Sequence, residues 1–513
     1  MKLKTRFGLA VIVAIAAAIL IAGCEKKEQP VDIHEPKPIE YIVPEPTPEP
    51  TPEPTPQPKK PCPKPTLSSA DISIDGCVEY QTMDGFGSTA RLFDDSHMFN
   101  NMIPGSDGKA ATIVPNSEQE EILDLLYVDL GLTRVRTQAE GAIEPVNDNN
   151  DPANTDISRF NFQFRRVDGL ADHVRRATGR GVTTYFFSPL SPESWWKTRV
   201  NPAEYVEWAM TIIRRYSSLG LRMPYYSIFN EPGLLTDTGQ INLPGTFIRD
   251  AIKLLGPKLK TEGLATKIVI SDDVNPCEAY KRIDIVLKDQ QARQYVGALA
   301  YHLYDQGDCT LVVDGVRRNS QEIKKLIKEL GEQYDIPVWM TEFYQSNAFQ
   351  WANTMQDLIG NYGASAIDYM WGFFGEWDNA RSPISSLVTL KNSGSQYLGY
   401  EIQKHYYTMG QFSRFVKPGS VRVDAQSNIA GIKVTAFKDT ANNRFIVVVI
   451  NNNPGDTSVS FKLDNANITG FSTVYRTSQT ENWVSLPSLA VSNSTFTTTL
   501  KGKSVTTFVG NIY

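Results

Sequence analysis

The chain has 513 residues, room for two or three domains, and 41% apolar residues suffice for sizeable cores. Its 51 basic against 57 acidic residues leave a net charge of −6 with no basic block beyond the N-terminus, which argues against a nucleic-acid partner. The five histidines are scattered without ligand spacing, so neither a metal nor another cofactor is expected.

The first 24 residues read as an export signal. Lys2, Lys4 and Arg6 precede an apolar run from Leu9 to Ala22, 14 residues long and too short for a comfortable membrane span. Leu20-Ile21-Ala22-Gly23-Cys24 resembles the bacterial lipoprotein cleavage box, with Ile21 where Leu is more usual. The resemblance implies lipidation at Cys24 and an exported protein, at the cell surface or on a periplasm-facing membrane, held by lipid alone. Residues 25–66, with the repeat Pro-Glu-Pro-Thr, form a linker that cannot be a helix or a central strand. Extended at about 3.1 Å per residue, it holds the body on the order of 100 Å from the lipid.

With Cys24 assigned to lipid, Cys62, Cys77, Cys277 and Cys309 remain, an even number in an exported chain, and disulfides are expected. Of the three connectivities, pairing nearest neighbours gives Cys62 with Cys77 and Cys277 with Cys309.

Residues 67–80 hold a strand, Asp71 to Tyr80, assigned to a side module. Gln81 to Thr89 reads as the first strand of a barrel spanning 81–407. Further strands are expected at Thr133–Thr137, Val182–Ser188, Tyr225–Asn230, Lys267–Ser271, Gly297–His302, Pro337–Thr341 and Ala366–Phe373. Helical patterns alternate with them, at Glu118–Leu130, Val167–Thr178, Pro202–Ser218, Phe247–Leu255, Asn319–Tyr334 and Ala348–Tyr362. Eight β/α units in a row predict an α/β fold, a (β/α)₈ barrel with its site at the C-terminal strand ends. From 408 to 513 short β-rich runs between Asn, Gly, Asp and Ser turns predict a β-sandwich.

Two strand ends carry chemistry. Pro224 to Phe229 runs into Asn230-Glu231-Pro232-Gly233, and Ile336 to Thr341 runs into Glu342. Two glutamates on distant strands of one barrel suit the acid/base and nucleophilic work of a glycosidase. A lone Asn-Glu-Pro is more often a turn, so the pairing of the two strand ends carries the reading.

Several motifs in order resemble glycoside hydrolase family 30. They are Asp84-Gly85-Phe86-Gly87, the stretch Leu130 to Arg136, Ser188 to Thr198, Asn230-Glu231-Pro232, Tyr301 to Tyr304, Trp339-Met340-Thr341-Glu342, Tyr369 to Gly372 and Gly410 to Gly419. The resemblance implies retention, with Glu231 as general acid/base and Glu342 as nucleophile. It implies that Asn230 meets the sugar 2-hydroxyl, that Arg136 favours the ionised form of Glu342, that Tyr304 hydrogen-bonds the nucleophile and that Trp371 floors the sugar site. Trp195 and Trp196 are expected to border outer subsites, with at least one packed inward, and His302 to support the site from behind.

The Ser-Pro-x-Ser-Pro segment and the closing Gly410 to Gly419 are more similar to the bacterial xylan-cleaving branch. After the eighth strand, Gly372 to Pro383 departs in spacing from the glucuronyl-dependent enzymes, with Arg381 as the group able to reach a substrate carboxylate. The expected function is cleavage of β-1,4 linkages in xylan by a monomer. A β-1,6-glucanase or galactanase of the same family, and an inactive glycan-binding lipoprotein, are the alternatives.

Overall fold

A computed structural model describes residues 70–93, 114–139, 142–162, 167–196, 200–234, 242–305, 307–375, 385–393 and 396–513. The expected signal and linker, Cys24, Cys62, Arg381 and residues 94–113 lie outside them.

The first strand, β1 (Ile72–Thr82), stands apart from the barrel. The barrel begins with β2 (Gly85–Thr89), β3 (Arg134–Ala139), β4 (Thr184–Pro189), β5 (Tyr225–Ser227), β6 (Lys267–Asp273) and β7 (Val296–His302). After a small hairpin of β8 (Thr310–Val313) and β9 (Val316–Asn319), β10 (Val338–Glu342) and β11 (Ala364–Tyr369) close the ring, all eight barrel strands parallel. Their cores, such as Ile268–Ile270 and Ala298–Tyr301, are buried runs of apolar residues, as expected for parallel strands covered on both faces.

The helices outside are α1 (Asn116–Asp124), α2 (Val167–Thr178), α3 (Pro202–Ser218), α4 (Gly245–Thr261), α5 (Pro276–Lys288), α6 (Ser320–Tyr334) and α7 (Ala348–Tyr362). Four begin on an asparagine whose side chain accepts two backbone N–H groups: Asn201, Asn275, Asn319 and Asn347. Pro202 and Pro276 then occupy first-turn positions where no N–H is missed. None of the described helices is long and apolar enough to cross a membrane.

Two expected barrel strands are corrected. Gln81 and Thr82 end β1, whose Thr82 pairs with Val421, and the barrel strand starts at Gly85. There φ is +108°, and a Cβ would lie 2.2 Å from Thr133 Oγ1, so the turn between the two elements requires glycine. The expected eighth strand, Ala366–Phe373, is split. Met370 donates its N–H to Phe343 O, and β12 (Trp371–Gly375) leaves the ring to pair with β13 (Ser386–Ser393), which pairs with β14 (Gln396–Ile402).

After α8 (Lys404–Ser413) come β15 (Val421–Ser427), β16 (Ile432–Asp439), β17 (Arg444–Asn451), β18 (Thr457–Asp464), β19 (Gly470–Phe471), β20 (Thr473–Ser478), β21 (Val484–Leu486), β22 (Leu489–Ala490), β23 (Thr495–Leu500) and β24 (Ser504–Asn511). Nine strands hydrogen-bond in the order β21-β20-β24-β17-β16-β15-β1-β18-β23. The sheet folds over itself into a sandwich: Phe461 and Phe496, stacked at 4.2 Å on its last two strands, each lie 6.0 Å from Phe508 on β24. β1 is laced between β15 and β18. Helix α8 joins the sandwich to the barrel, with Gln411 donating to Thr477 Oγ1 at 2.9 Å and accepting from Thr507 Oγ1 at 2.6 Å.

Candidate active site

The barrel interior is filled in layers. Toward the N-terminal strand ends, Arg134 makes a bidentate pair with Asp368, both contacts 3.1 Å, under the face of Trp339 at 4.0 Å. Asp368 lies so close to β2 that a Cβ on Gly87 would meet its Oδ1 at 2.3 Å. Two residues further along β3, Arg136 points into the layer that holds the acids. A strand places alternate side chains on one face, so the arginines at 134 and 136 stack inside the barrel.

Glu231 follows β5 through Ile228, Phe229 and Asn230. Its backbone is left-handed, φ +49°, a costly conformation for a residue other than glycine, and its N–H donates to Asp272 O at 2.9 Å. The turn after it is clamped from the next unit. Gly233 N–H donates to Asp273 Oδ1 at 3.0 Å, and Arg282 pairs with Asp273 at 3.2 Å while donating to Pro232 O. Glu342 is the last residue of β10.

The fourth and seventh barrel strands thus bring the acids together. One oxygen of Glu231, one of Glu342 and one ring nitrogen of His302 lie within 4.8 Å of one another, with Glu231 5% and Glu342 8% exposed. Their surroundings differ. Glu342 Oε2 accepts from Arg136 at 2.5 Å and Gln138 at 3.0 Å, and its Oε1 accepts from the Tyr304 hydroxyl at 3.0 Å. Three donors, one of them a buried cation, converge on its two oxygens. Burial pushes Glu231 above the ordinary carboxylate range, and the negative charge of Glu342 adds to the shift, against the opposing hydrogen bond from His302.

His302 lies 2.9 Å from Glu231 through Nδ1 and 3.1 Å from Asp272 through Nε2. Burial disfavours its charge, but the hydrogen bonds to Asp272 and Glu231 outweigh it and raise the ring to about 10. The ring thus links Glu231 to Asp272 through its two nitrogens. Asp272 is held far below the carboxylate range despite burial, by Arg136 at 3.1 Å and His302, with further donors in Ser188 and Thr341. Arg136 and His302 thus set two cationic groups against the three carboxyl groups of Asp272, Glu342 and Glu231.

Asn230 Oδ1 accepts from Arg136 and Gln138, which turns its NH₂ away from them. Trp371 stands at the start of β12 with its ring stacked on Phe374 at 3.9 Å and the Arg91 guanidinium 5.6 Å from its centroid, so its aromatic face is partly occupied. Trp195, 8% exposed, and Trp196 both pack inward, edge to face at 6.1 Å, and Trp195 Nε1 donates to Glu144 O. Neither indole is presented as an open outer subsite. Sequence reasoning missed Gln138 and Asp272. Gln138 carried one signal, since it lies two residues beyond Arg136 on the same strand face.

Cys277 and Cys309 form a disulfide, as nearest-neighbour pairing expected, and Cys77 is also disulfide-bonded.

No family model matches the chain. It is 25% identical over 418 residues to a putative glucosylceramidase of Caenorhabditis elegans, covering 74% of this chain and 75% of that protein. It is 30% identical over 239 residues to the glucuronoxylanase XynC of Bacillus subtilis strain 168, 44% of this chain and 49% of that one. Among solved structures, the catalytic domain of a family 30 xylanase C from Talaromyces cellulolyticus superimposes with a TM-score of 0.66 at 20% identity, covering 86% of this chain and 99% of that one. An endo-β-1,6-glucanase superimposes with a TM-score of 0.63 at 19% identity, covering 86% and 94%. At those identities the structures show likeness of fold, a barrel with a β-sandwich. Taken with the curated relatives, they make the chain a glycoside hydrolase that resembles family 30.

Proposed function

We propose that the chain cleaves β-1,4-xylosidic linkages within xylan, with retention of configuration, by double displacement. The observation that carries the reading is the approach of Glu231 and Glu342 to within 4.8 Å in opposite environments. Retaining enzymes hold their carboxyl groups about 5–5.5 Å apart, whereas inverting ones leave about 6.5–9.5 Å for a water.

In the first step Glu342 attacks the anomeric carbon, the glycosidic C–O bond breaks, and the Glu231 proton passes to the leaving oxygen. In the second, water gives a proton to Glu231 and its oxygen to the anomeric carbon, and the ester to Glu342 breaks. Asn230 is oriented to donate its NH₂ to the sugar 2-hydroxyl. The charge count explains why the buried cluster tolerates the reaction. When Glu231 becomes an anion, Glu342 becomes a neutral ester, so Arg136 and His302 face two negative groups in both states. No unpaired charge is created in a low-dielectric site.

The xylanase reading is supported by the likeness to XynC and to the Talaromyces xylanase. The β-1,6-glucanase reading is supported by the likeness of fold to the solved β-1,6-glucanase. Initial rates on xylan, glucuronoxylan and β-1,6-glucan, with proton NMR of the first anomer released, separate the two. Cleavage of xylan to the β-anomer is the expected result, and activity on β-1,6-glucan alone would overturn the substrate. Export and lipidation at Cys24, and action as a monomer, belong to the same proposal. Loss of membrane association in Cys24→Ser tests the anchor.

A further inference from the structure

The loop after β3 and the start of α3 bring together buried oxygens that have no donor. Glu204 and Glu207, one turn apart on α3, are 6% and 4% exposed, and Glu204 Oε2 and Glu207 Oε1 are buried without a hydrogen-bond partner. In the facing loop, Asn147 Oδ1 and Asp148 Oδ1 are also buried and unpartnered. The groups converge: Asn147 hydrogen-bonds Glu204, Thr155 hydrogen-bonds Glu207, and the Asp148 charge acts on both glutamates.

Carboxylate and amide oxygens accept and do not donate, so such a set cannot satisfy itself. Leaving a buried acceptor unmet is costly, the more so when it is charged. Burial pushes Glu144, in the same loop, up to about 8, with Asp148 and Glu207 adding to it, and burial also raises Glu204 and Glu207. Lys258 on α4 lends Glu207 a partial counter-charge.

We propose that these oxygens form a calcium site that pins the loop after the second barrel strand to helix α3. Calcium takes six to eight oxygens from carboxylates, amides and main-chain carbonyls in flexible geometry, whereas magnesium demands a strict octahedron and keeps its waters. Among the described residues, the one group of three acidic or histidine side chains within 4.8 Å is that of the active site. The proposed ion takes carboxylate oxygens of Glu204 and Glu207 together with side-chain oxygens of the facing loop. The same loop is tied to the third-strand loop, where Glu193 accepts the N–H groups of Ala142, Ile143 and Glu144. The ion thus orders a wall of the barrel mouth and takes no part in the chemistry.

The test uses the full chain, stripped with chelator and dialysed. Terbium is added while exciting tryptophan, since Trp208 lies next to Glu207 on α3 and donates to Glu193. The expected result is sensitised emission that saturates at about one ion per chain, is displaced by calcium but not by equal magnesium, and is accompanied by a rise in Tm of several degrees. Glu204→Gln and Glu207→Gln each weaken terbium binding at least about tenfold, while their metal-free Tm stays at or above that of the metal-free parent, since each removes a buried repelling charge. Absence of sensitised emission with a Tm indifferent to calcium overturns the proposal. So does a calcium response that both variants retain in full.

Discussion

His302 ties the acid Glu231 to Asp272, with one ring nitrogen 2.9 Å from the first and the other 3.1 Å from the second. Its ordinary value of 6.5 is raised to about 10 in the fold. The folded chain therefore holds a proton that the unfolded chain gives up. The resulting stabilisation is complete below about pH 6.5 and is lost as pH rises through about 10, with a slope approaching about 1.4 kcal/mol per pH unit between them. Urea unfolding followed from neutral to alkaline pH should show this decline, and His302→Gln should be less stable at neutral pH and flatter above it. An unchanged slope in the variant would place the proton elsewhere.

Removing either carboxyl separates the two halves of the reaction. Glu342→Ala and Glu231→Ala should each lose at least about a thousandfold in kcat on a natural glycan. Added azide should then distinguish them on an activated aryl β-glycoside. In Glu342→Ala it fills the vacated position and displaces the aglycone directly, giving the α-glycosyl azide. In Glu231→Ala it intercepts the glycosyl-enzyme, giving the β-glycosyl azide. NMR of the products checks the assignment, and exchanged stereochemistry would reverse the two roles.

Tyr304→Phe removes the hydroxyl that donates to Glu342 Oε1 at 3.0 Å. A hydrogen bond to a charged group contributes about 1.5–3 kcal/mol, so kcat/KM should fall about 10- to 100-fold. The ring keeps its edge contact with Phe343, 5.5 Å between centroids, so Tm should move little. Kinetics and calorimetry on the same preparation check both halves.

The Cys277–Cys309 bridge closes a loop with a sequence separation of 32. In the chain-entropy model that is worth roughly 4 kcal/mol, so reduction or Cys309→Ser should lower the urea midpoint markedly. The bridge joins the first turn of α5 to the segment after β7 and supplies no group to the cluster of Glu231, His302 and Glu342. Activity of the reduced, still folded protein should therefore fall less than its stability, as paired assays would show.

The two acids were legible because each ends a run of strand-forming residues, and a barrel turns equivalent strand ends toward one mouth. Helices α2, α3 and α7 were legible to the residue, because an apolar period of 3.6 is bounded by Asn-Pro, Asn or Gly at their ends. Asp272 was not. It is one of two adjacent aspartates at the end of β6, and only the fold decides that it meets Arg136 and His302 while Asp273 meets Arg282. Helix α5 went unread although Asn275-Pro276 announces it. The continuous run Ala366 to Phe373 concealed the point where the chain leaves the barrel, since apolar continuity persists on both sides of Met370 while the pairing partner changes. Trp195 and Trp196 show the limit of residue type, because an indole suits a sugar face and a core equally well.

The lacing of β1 between β15 and β18 means that the sandwich is not a detachable module. Asp71 meets its partner Ser460 across 389 residues, so the first strand to leave a ribosome or a translocase must wait for almost the whole polypeptide before either edge is covered. A nascent or truncated chain that ends before Val421 carries a strand with two open edges, the form most prone to pair with another copy of itself. Trimming the C-terminal strands in search of a minimal catalyst would thus yield aggregates, whereas a shortened version must keep both ends or rejoin them by circular permutation.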